Sequence, residues 1–213
     1  MKFASASSFP EPCMEEMIPE RLELHLRDGT PVVARPLTPD DRAYVAAGYR
    51  QLSPEARYQR FWVRDGEVIG DAMLNRLLAQ QLPDHAIWTV FDPTREGFPG
   101  LGAASFWRSK SEPSDAEFSV SVLDADQGRG VGTLLLALLW LVAYRHGIAT
   151  FTGYTMPENR AALRWMSDSG ATGAWDGYNA VFRWQLRDLA AIPETAAGAD
   201  LAERLAELAP AFL

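Results

Sequence analysis

Apolar and polar residues alternate near the start of the chain in a way that predicts a β-hairpin. Leucines alternate with charged or polar residues over residues 22–26, and an extended apolar pattern resumes over residues 32–35. Between these segments stands the turn signal Asp28-Gly29. Pro36 follows the second segment, so we expect the hairpin to end there.

The pattern then becomes helical. Thr38 is followed by proline and two acids, which is typical of a helix start, and the helix should run to about Leu52. Ser53 repeats the signal for a shorter helix that ends near Trp62. A third helix, over roughly residues 68–80, places its leucines on one face.

After Pro83 the pattern predicts strands. Three extended segments joined by Gly, Pro and Asp indicate an antiparallel meander over residues 86–91, 101–107 and 116–123. A helix over residues 133–146 is apolar nearly all round and should be buried. The remaining predicted elements are a strand (149–155), a helix (158–169), a strand pair (172–175 and 180–186) and a short amphipathic C-terminal helix (200–208).

Composition and charge narrow the classes of function. The 213 residues are 47% hydrophobic and 23% charged, which is the balance of a folded globular protein. A net charge of −8 disfavours nucleic acid or an anionic membrane as the partner. Residues 1–20 carry −3 and residues 188–213 carry −4, which leaves −1 for the segment between them. We therefore expect an N-terminal arm (1–20), one domain (21–187) and an acidic C-terminal extension (188–213).

The cysteine count and the hydropathy of the chain indicate in which cellular compartment the protein resides. The single cysteine, Cys13, cannot form an intrachain disulfide, and no Cys/His spacing is typical of a metal site. The longest apolar run, from Leu134 to Tyr144, is shorter than the ~20 residues that cross a bilayer. We expect a cytoplasmic protein without a metal ion.

A glycine-rich turn, Gln127-Gly-Arg-Gly130-Val-Gly132, lies between a predicted strand and the buried helix. Such a turn directs successive backbone N–H groups and a helix N-terminus at one spot, which suits a phosphate. A P-loop would need Lys-Ser/Thr after the last glycine, and a dinucleotide fingerprint would need glycine where Thr133 stands. A pyrophosphate bound without a metal, beside the charge of Arg129, is the remaining interpretation; a turn without a ligand is the alternative.

These residues resemble the Gcn5-related N-acetyltransferase (GNAT) superfamily. The turn matches the superfamily motif Gln/Arg-x-x-Gly-x-Gly/Ala, and Asn159-Arg-Ala-Ala162 matches a later Asn-x-x-Ala element. The block Leu52-Ser-Pro-Glu-Ala-Arg-Tyr-Gln-Arg-Phe61 is similar to bacterial protein lysine acetyltransferases of the Pat type. The resemblance runs from about residue 27 to 186. It implies an α/β fold with a mixed, mostly antiparallel sheet that splays at an acyl-CoA site and is flanked by helices.

The resemblance also implies a set of site residues for acetyl-CoA as co-substrate. The pyrophosphate would lie on the glycine-rich turn, the pantetheine would pair with the preceding strand, and Asn159 would contact the pantetheine arm. The cofactor-binding residues implied in this way are Val120, Ser121, Val122, Gln127, Gly128, Arg129, Gly130, Val131, Gly132, Thr133 and Asn159.

Glu117 falls at the position of the superfamily's general base in Pat-like enzymes. A lysine ammonium has a pKa near 10.4 and becomes a nucleophile only after losing a proton, so a nearby carboxylate suits the reaction. A solvated strand face or a structural salt bridge is the alternative for such a residue. Many superfamily members protonate the leaving thiolate with a tyrosine, but Met166 stands at that position; Tyr154 and Tyr178 are candidates by residue type only.

The sequence therefore predicts transfer of an acetyl group from acetyl-CoA to a primary amine, with a protein lysine, for example on an acyl-CoA synthetase, as the favoured acceptor. Acetylation of a small amine such as a polyamine or aminoglycoside is one alternative, and a non-catalytic acyl-CoA sensor is another.

The predicted C-terminal helix carries a leucine stripe formed by Leu201, Leu205 and Leu208. This stripe could dock on the domain itself or on a second subunit in a homodimer.

Overall fold

A computed structural model describes Phe9, residues 18–62, Gly66 and residues 68–213. Most of the predicted arm 1–20, including Cys13, lies outside the described residues. Within the described part, eight strands form one sheet. They are β1 (Leu22–His25), β2 (Pro31–Pro36), β3 (His85–Phe91), β4 (Gly100–Arg108), β5 (Asp115–Val122), β6 (Thr150–Thr155), β7 (Thr172–Trp175) and β8 (Ala180–Gln185).

Six α-helices flank the sheet in the same described ranges. They are α1 (Arg42–Gln51), α2 (Pro54–Phe61), α3 (Asp71–Leu78), α4 (Val131–Arg145), α5 (Arg160–Asp168) and α6 (Ala196–Phe212). Side-chain caps fix several of their starts: Ser53 accepts a hydrogen bond from the Ala56 backbone N–H, and Thr195 accepts one from that of Gly198. None of the described helices is long and apolar enough to cross a membrane.

The strand order is β1-β2-β3-β4-β5-β6-β8-β7. Neighbouring strands are antiparallel except β5 and β6, which are parallel. The predicted opening hairpin, the meander of β3 to β5 and the final strand pair are all present, and the mixed, mostly antiparallel α/β fold is confirmed.

The parallel pairing of β5 with β6 is short. It joins residues 115–117 of β5 to residues 150–152 of β6 and then stops, although β5 continues to Val122 and β6 to Thr155. Beyond Glu117, β5 keeps β4 as its partner on one edge, while β6 keeps β8. The sheet is therefore split along the second half of β5, as the resemblance implies.

The two faces of the sheet carry different helices. α4 is buried at every residue from Thr133 to Arg145 and forms one core cluster with Trp88, Phe106 and Phe118 of the sheet. On the opposite face, α1 and α3 contribute Tyr49, Leu74 and Leu77 to a smaller cluster around Ile87. This second, thinner layer covers the sheet face that carries Glu117.

The C-terminal helix is longer than the sequence predicts and belongs to the core. We expected it over residues 200–208, but α6 spans Ala196–Phe212 and packs on α4. Leu201, Leu205 and Leu208, the predicted stripe, are buried there together with Phe212. Burial of this stripe extends the helix beyond its locally predicted ends, since tertiary packing stabilises a helix more than propensity does.

Replacing Leu201 by alanine should show that α6 is an integral part of the core. Leu201 is 0% exposed, and deleting a buried leucine costs about 2–5 kcal/mol of unfolding free energy. We expect the melting temperature to fall by on the order of 10 °C. Glu203→Ala, on the exposed side of the same helix, is the matched control and should change stability by less than about 0.5 kcal/mol. Equal melting temperatures for both variants would contradict this packing.

Candidate active site

The alternation of β5 places Glu117 on the sheet face opposite the main core. Phe118, on the other face, is 2% exposed and stacks on Phe151, whereas Glu117 is exposed. Ser119 and Ser121 follow on the same face as Glu117 because side chains alternate along a strand. Glu117 is the last β5 residue paired with β6. Its carboxylate is therefore at the point where the two strands separate.

A half-buried arginine that the sequence reasoning did not single out lies beside Glu117. Arg60, near the end of α2, donates a hydrogen bond of 3.4 Å to the Ser105 hydroxyl, which is 3.2 Å from the Ser119 hydroxyl. Burial lowers the pKa of the Arg60 guanidinium to about 10, and the nearby charge of Glu117 partly opposes that shift. The guanidinium remains a cation at neutral pH. Its position inside the block that carries the Pat resemblance is the one sequence signal that could have identified it.

The glycine-rich turn has the backbone geometry of an anion-binding loop. Gly128 and Gly130 adopt positive φ angles of 75° and 89°, and Gly130 is the N-cap of α4. The Leu134 N–H bonds to the Gly130 carbonyl at 2.9 Å, so the N–H groups of Val131, Gly132 and Thr133 are the open donors of the first turn. Together with the helix dipole, these donors have the geometry that suits a phosphate group, and they lie at the end of the split in the sheet.

The Arg129 side chain is already bound within the protein. Its guanidinium donates hydrogen bonds to Asp28 (2.9 Å), Asp126 (2.7 Å) and Thr30 (2.8 Å). Arg129 therefore connects the β1–β2 hairpin to the glycine-rich turn. The contribution to cofactor binding that we assign to Arg129 is accordingly its backbone N–H, because its charge is neutralised by two carboxylates.

Asp126 is the centre of this ion-pair network. Its carboxylate is 1% exposed and accepts two hydrogen bonds from Arg95 (2.6 and 2.9 Å) as well as the one from Arg129. Burial acts to raise the pKa of Asp126, but the hydrogen bonds from both arginines outweigh it and hold the pKa below its usual value. Asp126 thus ties the β3–β4 loop and the glycine-rich turn together as an ionised group.

A second ion pair connects the hairpin and α6 behind the turn. Arg27 and Asp200 are 2.8 Å apart, and a side chain on Gly130 would meet the Arg27 Nε at 3.1 Å and an Asp200 carboxylate oxygen at 3.3 Å. The turn thus needs glycine at position 130 both for its φ angle and for space. The sequence reasoning did not single out Asp200: its partner Arg27 comes from the other end of the chain, and only Arg204, 3.7 Å away on the next turn of α6, is local.

The remaining predicted residues lie on α5, on β6 and in the β7–β8 turn. Asn159 caps α5 by accepting a hydrogen bond from the Ala162 N–H, and its amide donates to Gln59 of α2 at 3.0 Å. Met166 is buried against the core and offers no proton donor.

Tyr154 lies on the same sheet face as Glu117. Thr152, two residues earlier on β6, pairs with Glu117 across the strands, and side chains two residues apart on a strand share a face. Tyr154 is 44% exposed. Tyr178 lies in the β7–β8 turn, 85% exposed.

The structure therefore brings together Glu117, the open edge of β5, the glycine-rich turn and Asn159 along one split in the sheet. The described residues contain no group of three or more His, Cys, Asp or Glu side chains that could hold a metal ion.

Comparison with known proteins agrees with this geometry. The model of the acetyltransferase (GNAT) domain family matches residues 32–172. A curated relative, acetyltransferase Pat of Mycolicibacterium smegmatis, is 27% identical over 150 residues, which cover 70% of this chain and 44% of the relative. The match thus spans less than half the length of that relative.

Two solved structures share the fold. The GNAT domain of S. lividans PAT superposes with a TM-score of 0.70 at 24% identity, covering 78% of this chain and 96% of that one. The structure of yncA from Salmonella typhimurium with its cofactor acetyl-CoA superposes with a TM-score of 0.57 at 24% identity, again covering 78% and 96%.

Alanine substitutions at Gly130 and Gly132 should show whether the turn needs the backbone conformation of glycine or only a small residue. Gly130→Ala forces an L-residue into a positive φ, which costs about 1–2 kcal/mol, and it crowds Arg27. We expect roughly tenfold weaker CoA binding by calorimetry. Gly132→Ala is the matched control, because the added carbon would meet only ordinary contacts at 3.7 Å or more. Equal affinities for the two variants would count against the loop as the phosphate site.

Asp126→Asn should destabilise the protein in a pH-dependent way. Removing one partner of a buried ion pair costs about 3–5 kcal/mol of unfolding free energy. Because the folded-state pKa of Asp126 is depressed, its contribution is present above about pH 4 and is lost as the pH falls through the folded-state value. Denaturant unfolding at pH 7 and at a series of lower pH values should show a large difference between wild type and variant at pH 7 that shrinks progressively as the pH falls below about 4. Asp40→Asn, at an exposed position, is the control; a difference that does not change with pH would contradict the ion-pair explanation.

Proposed function

Because this chain belongs to the GNAT acetyltransferase family, we propose that it transfers the acetyl group of acetyl-CoA directly to a primary amine of a protein lysine. The observation that carries the proposal is the placement of Glu117 on the same strand whose open edge leads to the glycine-rich turn. One strand thus presents a carboxylate, free backbone groups and a phosphate site in that order.

The site has separate places for the parts of acetyl-CoA. The N–H groups around Gly128 to Thr133 and the dipole of α4 would hold the pyrophosphate. The open edge of β5 over Val120 to Val122 would pair with the pantetheine amides, as another strand would, and Asn159 would contact the same arm across the split. The thioester would then lie near Ser119, next to Glu117.

Glu117 is proposed to act as the general base. It would take a proton from the acceptor ammonium, directly or through a water, so that the neutral amine attacks the thioester carbonyl carbon. The C–N bond forms, the C–S bond breaks, and the departing thiolate takes up a proton. Arg60 lies beside Glu117 and carries a positive charge at neutral pH. Tyr154 is our candidate donor to the thiolate, because it lies on the Glu117 face at the split.

The exposure of the sheet next to Glu117 favours a protein acceptor over a small amine. α1 to α3 cover the face over β2 to β5, but Tyr154, Arg183 and Gln185 on β6 and β8 are exposed. A lysine on a folded surface could approach Glu117 over this open part of the sheet. A protein such as an acyl-CoA synthetase as the substrate, and a cytoplasmic location, stay predictions.

Glu117→Gln should lower kcat by about 10²- to 10⁴-fold while acetyl-CoA binding is unchanged. In the variant, the remaining rate should rise with pH between 6 and 9, because only the spontaneously neutral fraction of the amine reacts. Thiol release with a lysine-containing acceptor and calorimetric titration of acetyl-CoA measure the two effects. Glu96→Gln, at an exposed loop position, is the control.

The outcomes separate the alternatives. Turnover of Glu117→Gln equal to wild type across this pH range would remove Glu117 from the mechanism. Acetyl-CoA binding without thiol release, for a panel of proteins, polyamines and aminoglycosides, would identify a non-catalytic sensor. Release with a small amine alone would identify the small-amine enzyme.

A further inference from the structure

One hydrogen bond joins two helices that belong to opposite sides of the split in the sheet. α2 contacts β5, whereas α5 follows β6, the strand from which β5 separates. The Asn159 Nδ2 at the start of α5 donates to the Gln59 Oε1 of α2 at 3.0 Å. At its other end, α2 is held beside β5, because the Asp124 carboxylate accepts a hydrogen bond from the Ser53 N–H at 3.3 Å. α2 therefore reaches from the end of β5 to the start of α5.

Gln59 is the middle of a chain of hydrogen bonds whose direction is fixed at both ends. Its Nε2 donates to the Glu55 carboxylate, one turn earlier on α2, at 2.8 Å. A carboxylate only accepts hydrogen bonds, so Gln59 turns its amide nitrogen towards Glu55 and its amide oxygen towards Asn159. At the other end, the Ala162 N–H only donates, and it bonds to the Asn159 Oδ1 at 3.0 Å. Neither amide can flip without losing hydrogen bonds.

This chain leaves the Asn159 amide with one open donor. A side-chain amide carries two N–H donors and one oxygen acceptor. The oxygen is bound to Ala162 and one N–H is bound to Gln59, so the second N–H remains for a ligand. The two bonded neighbours hold the plane of the amide, and they thereby set the direction of the open N–H. The group that such a donor suits is a carbonyl oxygen.

We propose that Gln59 is a positioning residue for the acyl donor: it orients the Asn159 amide so that the open N–H meets a carbonyl oxygen of the pantetheine arm. This inference rests on the proposed function, in which Asn159 contacts that arm. Gln59 acts through Asn159 and does not itself bind the ligand. Because the amide is oriented before acyl-CoA arrives, binding does not have to order it, and this preorganisation strengthens binding.

Gln59→Met tests this role, since it keeps the length of the side chain and removes both of its hydrogen bonds. We expect the Kd and the KM for acetyl-CoA to rise about three- to tenfold. The kcat should stay within about twofold, because the arm is held equally in the ground state and the transition state. Phosphoadenosine diphosphate, which is CoA without its pantetheine arm, should bind equally to variant and wild type by calorimetry. Gln51→Met, at the exposed end of α1, is the matched control and should change neither affinity.

A double variant that exchanges the two groups should restore the chain. In Glu55→Gln combined with Gln59→Glu, the carboxylate at position 59 can accept from Asn159 and from the amide at position 55. Acetyl-CoA affinity should return to within about twofold of wild type, and failure to do so would overturn the orienting role. That role would also be overturned by unchanged acetyl-CoA affinity in Gln59→Met, or by an equal loss for the ligand without the arm.

These outcomes are separate from the test of the proposed function. Absence of thiol release by the wild-type protein would overturn acetyl transfer alone, because the calorimetric comparison of the variants does not depend on turnover. Absence of acetyl-CoA binding to the wild-type protein would overturn both.

Discussion

The divergence of β5 from β6 is the constraint on which the site depends. The two strands pair over residues 115–117 and then separate, so one sheet provides both a rigid frame and an unpaired edge. Unpaired backbone groups inside a protein are costly unless a ligand satisfies them. Here the split ends at the glycine-rich turn, whose first helical N–H groups are open as well. Glu117 lies where the pairing stops, so the carboxylate and the glycine-rich turn mark the two ends of the split.

The buried helix α4 packs on the sheet face that carries Phe118 and begins at the glycine-rich turn. Because α4 is buried at every residue from Thr133 to Arg145, other elements must cover it on all sides, and the sheet covers only one side of the helix. α6 covers another, which explains why an acidic C-terminal segment contains a fully buried stripe. The negative charge of this segment is therefore partly internal: Asp200 is buried and paired with Arg27, close to Gly130. The helix that completes the core therefore also supports the glycine-rich turn.

The charges around the loop balance each other. Arg95, Arg129 and Arg27 face Asp126, Asp28 and Asp200, so the guanidinium groups fix the positions of the hairpin and the turn. Recognition of a phosphate at this loop would then depend on oriented N–H groups and the helix dipole, whose geometry the ion pairs hold in place. On the other side of the sheet, the charge of the Arg60 guanidinium interacts with that of Glu117.

The sequence by itself determined the order of strands and helices, the alternation that separates Glu117 from Phe118, and the glycine-rich turn, because each is encoded by local periodicity and local backbone freedom. It could not determine where β5 leaves β6, how far α6 extends or that Arg129 is neutralised. Those features depend on contacts between residues far apart in the chain: Asp126 with Arg95, Arg27 with Asp200, and Arg60 with Ser105. Only the tertiary structure decides them, because no local pattern specifies which distant side chain fills a given space or pairs with a given charge.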